Sequence, residues 1–115
     1  MGVLAIVDDL LFRSKIETAA SQHGVALTIA SDPEAIAPLL RTASWSRVII
    51  DLHFSAADPL RVIAMLRAVA PRVPILGYGS HVEVALQRQA LDAGCTQVLP
   101  RSVFVRRLPE LLAGK

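Results

Sequence analysis

Cysteine, aromatic residues and net charge are all scarce in this chain, and each shortage removes a class of protein. One cysteine, Cys95, in 115 residues leaves no internal disulfide to form, so a cystine-stapled scaffold is excluded and a reducing cytoplasm suits the chain. Twelve basic against ten acidic residues give a formal charge of +2, too small and too scattered for an electrostatic footprint on nucleic acid. The densest basic spot, Arg101, Arg106 and Arg107, reads as a solvated helix end. Long apolar runs are missing too. "MGVLAIVDD" at the N-terminus offers a five-residue run, residues 3–7, that two acids cut off, with no basic region ahead of it. It is neither a signal peptide nor a membrane span.

What is present is the material of a core. With 53% of residues apolar and 19% charged, the chain falls outside the disordered class, and its length suits a single domain over residues 1–115. Apolar runs of strand length alternate with segments of helical period. "VLAIV" (3–7), "VALTIA" (25–30), "RVIID" (47–51), "VPILGY" (73–78) and "TQVL" (96–99) are the strand candidates. Most are nearly continuous β-branched and aliphatic runs, as expected where helices cover both faces of a parallel sheet. Between them the apolar residues recur at helical spacing: Phe12, Ile16, Ala19 and Ala20; Val62, Ile63, Leu66 and Val69; Val82, Ala85, Leu86 and Ala90; Phe104, Val105, Leu108, Leu111 and Leu112. "SDPE" at 31–34 supplies an N-cap with proline in the first turn, and Gly24 and Gly94 stand where helices should stop. Pro38 and Pro109 predict that the second and fifth helices are kinked, short or late-starting.

The βα unit therefore repeats five times, which predicts an α/β protein with a doubly wound parallel sheet and helices on both faces. For five strands the commonest order is 2-1-3-4-5, and ligands then collect at the carboxyl ends of the strands, between the first and the third. Asp8 and Asp9 end the first strand, and Asp51 ends the third. Three carboxylates crowded at one edge repel one another and require a positive partner. Oxygen-only ligands suit Mg²⁺ better than zinc, since no cysteine or histidine has ligand spacing; Mn²⁺ is the alternative ion. Mg²⁺ beside a carboxylate points to phosphoryl chemistry, with Asp51 as the nucleophile that becomes an acyl phosphate.

"VLAIVDD", "VIIDL", "VPILGYGS" and "GCTQVLPRS", in this order and spacing, resemble the receiver domain of two-component response regulators over nearly the whole chain. The resemblance implies a flavodoxin-like, CheY-like fold. It implies a phosphoacceptor at Asp51 and a metal site made by Asp8, Asp9 and Asp51 with the backbone carbonyl of His53. It also implies a histidine kinase or phosphotransfer protein as donor and a downstream protein target. The family's responsive face is made by the fourth helix, fifth strand and fifth helix, which is also the face for a homodimer. Asp58, seven residues beyond the acceptor, matches a further family position.

The departures are specific. Where the family keeps a threonine or serine after strand four, this chain has Gly79, with Ser80 next to it as the hydroxyl within reach. The lysine and proline that follow strand five in the family read Arg101 and Ser102 here, and Val98 replaces the aromatic switch residue. An arginine fork differs from a compact ammonium, so Arg101 stands in the lysine position with a different shape. The expected function is a phosphorylation-controlled signalling module of the cytoplasm, not an enzyme, with no direct contact to nucleic acid or membrane. The alternative is a degenerate pseudo-receiver that binds a protein partner without phosphorylation. A small flavodoxin-like enzyme or nucleotide binder is more distant, because no glycine-rich phosphate loop follows strand one.

Overall fold

Strands without a polar face are stable only when both sides are covered, and that is the arrangement these runs adopt. In the computed structural model, which describes residues 2–42, 44–79 and 84–113, five strands form one parallel sheet. They are β1 (Gly2–Ile6), β2 (Leu27–Ala30), β3 (Trp45–Asp51), β4 (Ile75–Gly79) and β5 (Gln97–Pro100). Their order is β2-β1-β3-β4-β5, as expected. Ile6 is in register with Ala30 on one side and Ile50 on the other, so the chain leaves β1 and β3 at the same edge.

The helices are α1 (Leu10–Gln22), α2 (Pro33–Thr42), α3 (Pro59–Val69), α4 (Val84–Ala93) and α5 (Arg101–Leu112). Each begins for a local reason. Asp9 caps α1, Asp58 caps α3 with Pro59 in its first turn, and the Asp32 carboxylate accepts from the Glu34 N–H at 3.0 Å at the start of α2. Gly24 (φ 64°) and Gly94 (φ 136°) follow α1 and α4 in conformations that side chains disfavour, which is why the chain turns there. The helices run through both Pro38 and Pro109, and α5 starts directly after β5 rather than late. Pro109 lies in the C-terminal half of α5, where its missing N–H removes one bond to the preceding turn without ending the helix.

Alternate strand residues feed two cores. On one face Phe12, Ile16, Phe104, Leu108 and Leu111 of α1 and α5 pack on Ala5, Ile49, Leu76 and Tyr78. On the other, Ile36, Leu40, Ile63 and Leu66 of α2 and α3 pack on Leu4, Ile50 and Ile75, with Ala90 of α4 and Val98. Val69 is exposed and so is Ala85, so the apolar face of α3 ends earlier and that of α4 is narrower than the spacing predicts. Val82 lies outside the described residues. Phe104 is fully buried and stacks on Tyr78 with ring centroids 4.2 Å apart. Removing that ring in Phe104→Ala should cost about 3–5 kcal/mol, read as a lowered denaturation midpoint in urea.

Candidate functional site

Asp51, the last residue of β3, is 2% exposed, which makes it a carboxylate folded into the protein rather than a surface acid. One of its oxygens is held: the His53 N–H donates to Oδ1 at 2.8 Å, and the Phe54 N–H donates to the Asp51 carbonyl at 3.0 Å. Burial raises its pKa above the ordinary 3.8. The His53 N–H and the positive charges of His53 and Arg101 offset part of that rise, while the Asp8 charge adds to it. Asp8 and Arg101 are therefore both close enough to act on Asp51 electrostatically.

The other two acids of the sequence pattern have separate local duties. Asp8 Oδ2 accepts from the Ser55 N–H at 3.0 Å and from the Ser55 hydroxyl at 2.6 Å. Burial pushes its pKa up, but the bonds from Ser55, together with backbone N–H groups of Asp8 and Ala56, outweigh that and hold it below 3.8. Asp9 Oδ1 accepts from the Leu11 and Phe12 N–H groups at 2.9 and 3.2 Å, capping α1. Asp58 does the same for α3, accepting from Leu60 N–H at 3.0 Å. Among the described residues no three side chains of His, Cys, Asp or Glu gather into a group that could hold a metal ion. The donors at this edge are instead the Asp8 and Asp51 carboxylates with the chain at His53. Magnesium is usually bound by one or two carboxylates together with waters and phosphate oxygens, so this sparse set fits Mg²⁺ better than an all-protein calcium cage.

Arg101 begins α5 directly after β5, at the same sheet edge. Its guanidinium carbon lies 4.5 Å from the centroid of the Phe12 ring, and its Nε is buried without a hydrogen-bond partner among the described residues. A weakly hydrated guanidinium suits such an aromatic platform, where an ammonium would lose more hydration. Gly79 ends β4 opposite Pro100 and brings no hydroxyl to the edge. Ser80 lies outside the described residues. The sequence reading missed Ser55, which fixes Asp8, and Phe12, which seats Arg101. It also missed Tyr78, whose partnership with Asp51 in the β3–β4 register is a signal that strand alternation carries.

Because burial favours the neutral acid, the unfolded chain ionises at Asp51 first. Folding therefore loses stability as pH rises from 3.8 through the higher folded value. Asp51→Asn should melt above wild type at neutral pH, with the difference closing as pH falls toward 3.8. A melting series across that range reads the outcome directly.

Comparison with known proteins agrees with this geometry. The model of the response regulator receiver domain family matches residues 3–113. The chain is 24% identical over 111 residues to the response regulator protein FleR of Pseudomonas aeruginosa, with 96% of this chain aligned. It spans only 24% of that relative's length. Among solved structures it is similar to the chemotaxis response regulator CheY4 of Vibrio cholerae, with TM-score 0.84, 18% identity, and 97% of this chain and 95% of that one covered. It is also similar to a response regulator of Burkholderia pseudomallei solved with a phosphorylated aspartic acid, a calcium ion and citrate. There the TM-score is 0.81 and the identity 22%, with 97% and 71% covered. With a family match running almost from end to end and the same sheet, the chain belongs to the response regulator receiver domain family.

Proposed function

We propose that this receiver domain accepts a phosphoryl group on Asp51 and passes the signal to a protein partner. The observation that carries the reading is the buried Asp51 carboxylate at the C-terminal end of the central strand, with Asp8 acting on it from beyond the adjacent β1 and Arg101 from the start of α5. Oδ1 is held by the His53 N–H, which assigns the attack to Oδ2. Oδ2 adds to phosphorus in line with the leaving group, and the bond from phosphorus to the donor breaks. The leaving group keeps that electron pair: imidazole from a phosphohistidine, or acetate from acetyl phosphate. The product is a mixed anhydride of carboxylate and phosphate. Asp8, Asp51 and the His53 carbonyl would hold Mg²⁺ or Mn²⁺, which when bound offsets charge on the phosphoryl oxygens, while Asp9 caps α1. Arg101 supplies a fixed positive charge in the place of a lysine.

The donor is a histidine kinase or a phosphotransfer protein, and the output is contact with a downstream protein or a second receiver, without catalysis of its own. Exposed Val84 and Leu91, seven residues apart and so on one side of α4, give that helix an apolar stripe for such contact. No helix among the described residues is long and apolar enough to cross a membrane, and a cytoplasmic setting fits the lone, buried Cys95, whose thiol burial pushes up to about 11.

A second reading has its own observation. Asp9 serves as a cap, and no metal-holding group of three exists among the described residues; both suit a pseudo-receiver that binds its partner without phosphorylation. Incubation with acetyl phosphate and Mg²⁺, followed by intact mass, separates the two. The acceptor reading expects one phosphoryl group that is absent from Asp51→Asn. A wild type that gains no mass would leave the pseudo-receiver.

A further inference from the structure

Tyr78 is the only tyrosine in the chain, and it stands in a strand of otherwise small and aliphatic residues. It is the register partner of Asp51, and its carbonyl accepts the Leu52 N–H at 2.8 Å, so β4 is fastened beside the acceptor at this level. In adjacent parallel strands, residues in register project from the same face. The ring lies nearly parallel to Phe104 (2°) and is also stacked on Phe12, with centroids 5.3 Å apart. Phe12 in turn carries the Arg101 guanidinium. The side chain is completely buried, yet its Oη has no hydrogen-bond partner among the described residues. Leaving a buried hydroxyl unpaired costs free energy that a protein ordinarily avoids, unless a ligand completes the bond. Arg101 Nε is in the same condition beside it.

Resting on the acceptor reading above, we propose that Tyr78 supplies the hydroxyl donor that Gly79 cannot, its Oη bonding an oxyanion seated on Asp51. Burial raises the phenol's pKa, and the Asp51 charge raises it further, so the group stays a neutral donor at physiological pH. The charges of Asp8 and Asp9 raise it as well, and that of Arg101 lowers it. The pocket thus has two buried donors, a phenol and a guanidinium, both anchored on one aromatic stack. An oxyanion is the ligand class that satisfies both together.

The experiment compares wild type with Tyr78→Phe, which keeps the stacked ring and loses only the hydroxyl. Each is treated with acetyl phosphate and Mg²⁺, and separately with beryllium and fluoride salts as a stable phosphoryl mimic. Circular dichroism confirms that both variants fold. The proposal expects phosphoryl acquisition and beryllofluoride affinity each to fall roughly ten-fold in Tyr78→Phe. It also expects the near-ultraviolet absorption of the lone tyrosine to shift to longer wavelength when wild type takes either adduct. If wild type gains the phosphoryl group and Tyr78→Phe matches it, the Tyr78 assignment is overturned while Asp51 stands. A slower variant with no absorbance shift in wild type also overturns it, making Tyr78 a packing residue. A wild type that takes neither adduct removes the acceptor reading and the Tyr78 assignment together.

Discussion

The desolvation of one carboxylate organises this molecule. Asp51 terminates the central strand of a sheet buried on both faces, so its negative charge is paid for by whatever the neighbouring strand ends can offer. The His53 N–H, the His53 charge and Arg101 all favour the ionised form, and Asp8 opposes it. A carboxylate whose burial disfavours its charged form, at the carboxyl edge of a parallel sheet, is a candidate functional group on physical grounds.

The two faces of the sheet contribute differently. The α2, α3 and α4 side is almost purely aliphatic, and it contains Val98. The α1 and α5 side holds the aromatic stack of Phe12, Tyr78 and Phe104, which reaches from the site into the core. Arg101 heads α5 and rests on that stack. A phosphoryl group can shift a conformational balance only by contacting one state more favourably than another.

Much of the frame was legible because its physics is local. Continuous aliphatic runs named all five strands, and their order followed from short connections and right-handed crossovers. Boundaries shifted where single bonds decided them: β2 begins at Leu27 because the Val25 N–H is taken by the Ala20 carbonyl, and β3 reaches back to Trp45. The acids Asp8, Asp9 and Asp51 were readable as residues at the carboxyl ends of β1 and β3. Their separate hydrogen bonds were not, since Ser55 reaches Asp8 across 47 positions of sequence. Phe12 and Tyr78 looked like core by period, which they are. That they also stack with Phe104 into one group on which Arg101 rests depends on three elements meeting, and no spacing in one segment encodes that.

Carbon-detected NMR titration of the aspartate side chains tests the central claim most directly. The account predicts that Asp51 titrates above 3.8 and Asp8 below it, the first from burial and the second because its hydrogen bonds outweigh its burial. An Asp51 that titrates at or below 3.8 would contradict it.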